Sequence, residues 1–287
     1  MSADDFELSH SFQVGDLTVT QLSDGSFTRD MSIFFDGVDP AEWTAAVGIE
    51  PDSRELGWNF GAFLVRGDGH TTLIDTGNGT RSREAGAVSG GALLERLAES
   101  GVEPDQVDTI VHTHLHFDHC GWDVNDDDEG SITFPNATVH VSRPELDYWM
   151  GPTAKSVLLQ EIRSRMEPLQ RAGTLTTFEG DTQISPSLRM IFTPGHTPGH
   201  CSVLLQSGGE TLLVTGDVAH HPQHLTHQQW HASFDWDRPL QQESRRRVSQ
   251  LAVELDATVA SVHFPILTLG RIVEGQGGYR FERTDAP

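Results

Sequence analysis

Thr113-His114-Leu115-His116-Phe117-Asp118-His119-Cys120-Gly121 packs four metal-competent side chains into six residues, directly after the stretch 107–112, which reads as a buried strand. Imidazoles and carboxylates together suit a borderline cation such as Zn²⁺. In an extended chain residues 114, 116 and 118 share one side, so His119 joins them only if the backbone turns sharply, and Gly121 is consistent with such a bend. A lone histidine is most often a hydrogen-bonded core or surface residue. Polar side chains in tandem after an apolar strand are costly to bury unless paired or metal-bound.

Outward from this run, alternating segments at 17–22, 62–66 and 71–75 read as strands, with Asp24-Gly25 and Asp68-Gly69 as hairpin-type turns. Leucines 93, 94 and 97 give 91–100 a helical spacing, and Gly101 is the stop. Strand, helix, strand and then the polar cluster puts His114 at the carboxyl end of a strand, where layered α/β proteins place chemistry. Further strands are expected at 138–141, 188–192, 202–206, 211–215 and 258–263, and helices at 144–150, 156–170 and 239–255. With no linker and no repeat, this order predicts one domain, 1–287, of two packed sheets flanked by helices. The irregular stretch 31–59, carrying Pro40, Pro51, Trp43 and Trp58, reads as a loop or short helix lying over a pocket.

Three distant segments end in further ligands at strand-to-loop junctions: Phe192-Thr193-Pro194-Gly195-His196, Val214-Thr215-Gly216-Asp217 and Ser261-Val262-His263-Phe264-Pro265. Six or seven such donors exceed what one tetrahedral zinc takes, so two neighbouring metals are expected. The H-x-H-x-D-H run, the later Gly-His-Thr-Pro-Gly, the Thr-Gly-Asp and the final His resemble the metallo-β-lactamase superfamily in order and spacing over about 60–264. Within it the chain is similar to the lactonase and methyl-parathion-hydrolase-like branch. The resemblance implies an α/β fold, an αββα four-layer sandwich with the dinuclear site at one edge. It implies His114, His116 and His196 on one metal, Asp118, His119 and His263 on the other, and Asp217 bridging. Asp75, in Leu73-Ile74-Asp75-Thr76-Gly77, would support the site from behind, although a turn-initiating Asp is its plainer reading. Two Zn²⁺ are implied, other divalent metals being admissible. One large group of true β-lactamases carries Cys where Asp217 stands, which disfavours penicillin-type substrates.

Two metals roughly 3.5–4 Å apart hold a bridging hydroxide, and the implied reaction is opening of a small neutral ester. A lactone such as an acyl-homoserine lactone comes first, an organophosphate or aryl ester second. An iron-dependent persulfide dioxygenase-type oxidoreductase, carrying a single iron, is the alternative class. By its spacing Asp118 binds the second metal while accepting a hydrogen bond from the nucleophile, and it can shuttle a proton. His220 follows Asp217 by three, where the lactonases it resembles have a substrate-contacting Tyr; a His there can still donate to a carbonyl oxygen or a leaving alkoxide. His200 is expected to hydrogen-bond behind a ligand and His112 to be a satisfied core residue. His221, His224, His227 and His231 read as a solvated loop with one or two pocket residues rather than a third metal site. The tail 270–283 resembles the C-terminal strand segment of the phosphotriesterase-like branch.

Composition sets the remaining limits. A formal charge of −23 on 287 residues makes a polyanion a poor partner, since Lys and Arg supply most nucleic-acid affinity. The cations are nearly all Arg, Lys155 being the one lysine. Residues 1–10 lack the basic start and apolar stretch of a secretory signal, and no run reaches a membrane span, so a cytoplasmic protein without membrane contact is expected. A homodimer is common in the family resembled. Cys120 and Cys201 are too few for a disulfide framework and read as buried free thiols. Asp126-Asp127-Asp128-Glu129 lacks the pattern of a calcium loop and reads as solvated. Of Trp58, Phe60, Phe63, Trp122, Trp149 and Phe264, two or three are expected to wall an apolar pocket.

Overall fold

Side chains that alternate along each strand fall into different cores, and that division builds the layers of the molecule. A computed structural model of the chain describes residues 9–50, 52–80, 89–152, 154, 159–264, 266, 268–275 and 277–284. The first half supplies β1 (Ser9–Val14), β2 (Leu17–Asp30), β3 (Glu55–Gly67), β4 (His70–Ile74), β5 (Ser89–Gly90) and β6 (Thr109–Val111). A small hairpin of β7 (Val124–Asn125) and β8 (Ser131–Ile132) follows, then β9 (Thr138–Ser142) and β10 (Leu175–Phe178). They hydrogen-bond in the order β1-β2-β3-β4-β6-β9-β10, with β5 against β2. The second sheet runs in chain order through β11 (Thr182–Gln183), β12 (Leu188–Phe192), β13 (Cys201–Ser207), β14 (Glu210–Val214), β15 (Thr258–Ala260), β16 (Leu269–Gly275) and β17 (Gly278–Thr284).

Phe63, Val65, Ile74 and Val111 point inward and meet Val203, Leu205, Leu212 and Val214 of the second sheet. Their strand neighbours Leu64, Leu73 and Ile110 face the other way. They pack on α2 (Leu93–Glu99), α4 (Arg143–Met150) and α5 (Leu159–Ala172) through Leu93, Leu97, Leu146, Ile162 and Met166. On the far side Leu204, Leu213 and Val259 pack on Val248 and Ala252 of α7 (Arg238–Glu254). Helix, sheet, sheet, helix is the order of layers. Three further helices are α1 (Pro40–Val47), α3 (Phe117–Cys120), whose Cys120 joins the core under α2, α4 and α5, and α6 (Pro222–Thr226), whose Leu225 joins the core under α7.

Most expected elements are found within a few residues, but β2 runs on from the expected 17–22 to Asp30 and β3 begins at Glu55 rather than 62; residues 156–158 of the expected helix lie outside the described residues. Asp68 and Gly69, both at positive φ, make the expected two-residue turn, and Gly101, at φ 73, follows the end of α2. The expected strand 258–263 ends at Ala260, which leaves His263 on a loop. The stretch 31–59 contains α1 but also enters β3 at Glu55.

Asp24-Gly25 is not a turn. β2 continues through it with a register shift against β3, because Asp24 is drawn inward as an acceptor and is fully buried. Its Oδ1 accepts from the Leu93 N–H (2.8 Å) and the Trp122 indole (2.7 Å), and its Oδ2 from the N–H groups of Asn78 (2.8 Å) and Gly79 (3.0 Å). It thereby fixes the start of α2 and the loop after β4. Asp24→Ala would orphan four buried donors at about 1–3 kcal/mol each before relaxation. A loss of at least about 3 kcal/mol in denaturant unfolding is the expected outcome, and an unchanged midpoint would refute this role.

Candidate metal centre

Every expected ligand follows the carboxyl end of a strand. β4 is parallel to β6 and β14 to β15, so their ends come level at one edge. After β6 the chain stays irregular to His116 and then coils into the single turn of α3, which swings His119 back beside His114. The sharp bend therefore falls before Phe117. Gly121 is helical, at φ −61, and is needed for close approach, since a Cβ there would lie 2.2 Å from the carbonyl carbon of Asn78.

The seven expected ligands converge as two groups. His114 Nε2 and His196 Nε2 each lie 3.0 Å from His116 Nδ1, with Asp217 Oδ2 at 3.2 Å from His196 Nε2. His119 Nε2 and His263 Nε2 stand 3.1 Å apart, with Asp118 Oδ2 at 3.9 and 3.7 Å from them. Asp217 Oδ1 faces this second pair at 3.4 and 3.2 Å. One carboxylate thus turns an oxygen to each group. Within the groups the donor atoms lie within 4.8 Å of one another, and these are the two metal-competent clusters among the described residues.

The outward nitrogens are tied down. His196 Nδ1 donates to Asp235 Oδ1 (2.9 Å), His119 Nδ1 to Asp75 Oδ2 (2.8 Å) and His263 Nδ1 to the Asn59 carbonyl (2.8 Å). An imidazole that donates through Nδ1 turns its Nε2 toward the interior of the site, where the neutral form of the ring carries a lone pair. Asp75 also accepts from the Thr113 N–H and hydroxyl, both at 2.8 Å. Burial opposes its ionisation, but His119 and His112 beside it hold its carboxyl down at about 2. His112 is a buried, hydrogen-bonded core residue, as expected: its Nε2 donates to Asp123 at 2.9 Å, within the same buried network. For Asp217 too burial opposes the charge, and His263, His119, His220 and His114 together keep it well below the carboxylate range.

His200 acts from behind, as expected. Burial, with His196 nearby, pushes it down to about 3. The neutral ring donates through Nδ1 to the Thr193 carbonyl (3.1 Å) and accepts the Asp217 N–H at Nε2 (2.9 Å). Gly216, at φ 56, lets the ring in, for a Cβ would meet His200 Nε2 at 2.6 Å. Cys120 and Cys201 are buried free thiols.

His220 is 1% exposed, with Nε2 3.1 Å from Asp217 Oδ2, and neither ring nitrogen makes a hydrogen bond to protein. Burial outweighs the pull of Asp217 and lowers its pKa. The histidines after it are not a solvated loop throughout: His224 is buried and donates to the Phe34 carbonyl at 2.8 Å, while His227 stacks on Trp230. Asp126 of the acidic run is likewise engaged, by Arg165 (2.7 Å) and Thr80.

Above the two groups opens a cavity of about 410 Å³. Trp58, Phe60 and Trp149 line it, whereas Phe63, Trp122 and Phe264 belong to the cores. Phe34 joins them from the stretch 31–59 expected to lie over a pocket, whereas sequence reasoning missed Phe234 and Trp236 in the wall. It also missed Asp235 and Asn59, the partners of two ligand rings; an Asp between two aromatics offers no signal until the loop is seen folded.

A buried cluster of imidazoles and carboxylates at the edge of an αββα sandwich defines a metal-centre scaffold. Residues 62–263 match the model of the metallo-beta-lactamase superfamily, and the chain belongs to that superfamily. It is 26% identical over 187 residues to an N-acyl homoserine lactonase of a Bacillus species, an alignment that covers 65% of this chain and 64% of the relative. Among solved structures, AidC, a dizinc quorum-quenching lactonase, superposes with a TM-score of 0.84 at 23% identity over 98% of this chain and 99% of its own. The hydrolase AbOPH gives 0.83 at 27% identity over 96% and 97%.

Helix α7 secures the loop that carries Asp217 and His220. Gln241 Nε2 donates to the Asp217 carbonyl (2.7 Å), and the fully buried Arg245 donates to the carbonyls of Val218 (2.8 Å), Gln228 (3.0 Å) and Trp230 (2.5 Å). Arg245→Ala should cost about 3 kcal/mol or more, since hydrogen bonds from charged groups contribute about 1.5–3 kcal/mol each. Thermal unfolding at the wild-type temperature would contradict that role.

Proposed function

We propose that this protein is a dinuclear metal-dependent hydrolase that opens a small neutral ester, a lactone of the acyl-homoserine type first. The observation that carries the reading is Asp217, whose two oxygens face separate imidazole groups at the floor of an apolar cavity. The donor set fits a pair of cations. His119 and His263 bring their Nε2 atoms within 3.1 Å of each other while each Nδ1 is engaged from behind, so a shared cation would serve both rings. Carboxylate and carbonyl partners on the outward nitrogens are the usual companions of metal-bound imidazole. His114, His116 and His196 would hold one zinc, Asp118, His119 and His263 the other, and Asp217 both.

Zinc held there supplies Lewis acidity and an ionised water at neutral pH. Asp118, with its side chain 14% exposed at the cavity floor, accepts the proton of the nucleophile and returns it to the leaving oxygen. His220, held toward its neutral form by burial and with Nε2 3.1 Å from Asp217 Oδ2, presents an N–H to the substrate's carbonyl or leaving oxygen. Phe34, Trp58 and Phe234 pack on its ring and Trp149 on that of His116, and together they exclude water from the cavity floor. No Lys or Arg is among the described lining residues, which favours a neutral substrate. The lactonase relative supports the lactone, and the ring-lined walls give an aryl ester or organophosphate second place. Two donor groups rather than one weigh against a single iron.

Metal content per chain, measured alongside rates on acyl-homoserine lactones, an aryl ester and a phosphotriester, tests the reading. Two metal ions and fastest lactone turnover are expected; a metal-free, fully active Asp217→Ala protein would end it. Asp217→Ala should weaken metal binding by more than about 100-fold, beyond the usual loss for an outer partner of a ligand. His220→Ala should keep both metals and lose about 100-fold in kcat, the low end for a group that transfers a proton. Unchanged kinetics would remove His220 from the reaction.

A further inference from the structure

Ser142-Arg143-Pro144-Glu145 has the form of a helix capping box, in which the Glu side chain should return to its own N-cap N–H. In α4 it does not. Ser142 caps the helix by accepting from the Glu145 N–H, but the Glu145 carboxylate has left the helix. Its Oε1 accepts from the Leu115 N–H (3.0 Å) and the Trp149 indole (2.7 Å), and its Oε2 from the Gly199 N–H (2.9 Å).

Leu115 lies between His114 and His116, and Gly199 lies three residues beyond His196. The side chain is fully buried, and burial raises its pKa against the donors that surround it. Room for the junction is tight: a Cβ on Gly199 would lie 2.1 Å from the Glu145 nitrogen. The two loops it joins reach the site from different sheets, β6 in one and β12 in the other.

We infer that Glu145 is a positioning residue that sets the spacing between the loop of His114 and His116 and the loop of His196, and with it the affinity of the first metal position. The inference rests on the metal-centre reading above. Its geometry makes it site-selective, because neither loop contact of Glu145 reaches His119 or His263 directly. In Glu145→Gln one oxygen can still serve Leu115 and Trp149, but the amide NH₂ then opposes the Gly199 N–H, and the His196 loop loses one of its anchors, the bond from the Ser142 hydroxyl to the Gly199 carbonyl remaining.

The test is zinc competition with a chromogenic chelator on full-length wild-type and Glu145→Gln protein, with thermal unfolding of both metal-free forms. The expected result is one zinc step weakened about 10- to 100-fold, the range for outer partners of metal ligands, and the other kept close to wild type. Two unchanged steps would overturn the inference. So would equal weakening of both steps together with a lower unfolding temperature, the mark of a merely structural role. If Glu145→Gln fails to fold, Glu145→Asp, which keeps the charge but shortens its reach to the two loops, is read by the same two steps and judged by the same outcomes. Failure of the underlying reading looks different, because the wild-type protein itself would then bind no zinc.

Discussion

A carboxylate buried among imidazoles from separate chain segments is the constraint on which the molecule turns. The charge of Asp217 is costly in the interior unless both oxygens are compensated, and compensation demands that the loops after β6, β12, β14 and β15 arrive in register. The sheets bring them near and backbone bonds finish the alignment. Thr215 donates to Ala260 within the second sheet (2.9 Å), Asp75 to Val111 within the first (3.0 Å), and Cys201 to Thr113 from one sheet to the other (2.8 Å). The central core between the sheets is apolar, and polarity gathers at the edge where the strands run out.

The proposed ligands could be read from the chain because their chemistry is local: imidazoles at i, i+2 and i+5 directly after an apolar strand are costly to bury together unless paired or engaged by a cation. The layered fold was equally readable, since alternation of side chains reports which faces are buried. What escaped the sequence lies in long-range partnerships. Asp24 has the composition of a turn, yet four donors from 54 to 98 residues away recruit it into a strand. Asp235 and Asn59 have no motif, and only the folded loops bring them to His196 and His263. Glu145 carried a readable signature, but it is one that predicts a different partner.

The cavity wall is built from two segments far apart in sequence that fasten to each other through the backbone. Ser233 donates to the Ile33 carbonyl (2.7 Å) and Asp36 to the His231 carbonyl (2.9 Å), while His224 reaches the Phe34 carbonyl. The same segment that closes the wall carries Asp235, hydrogen-bonded to His196, so wall and ligand shell are mechanically one unit. Ile33, Phe234 and Trp236, all lining the cavity, are the large apolar side chains left exposed among the described residues. Apolar surface concentrated at a single opening marks a binding surface more than incidental exposure.

Asp75 holds its backbone at φ 60 while its carboxylate serves Thr113 and His119. Glycine would welcome that torsion but brings no acceptor. Glutamate keeps the charge but has the wrong reach and little tolerance for the left-handed region. Asparagine adopts the torsion more readily than most, yet turns an amide toward a donor. Each neighbouring residue type meets one demand and fails the other, so genetic drift at this position is closed from both sides.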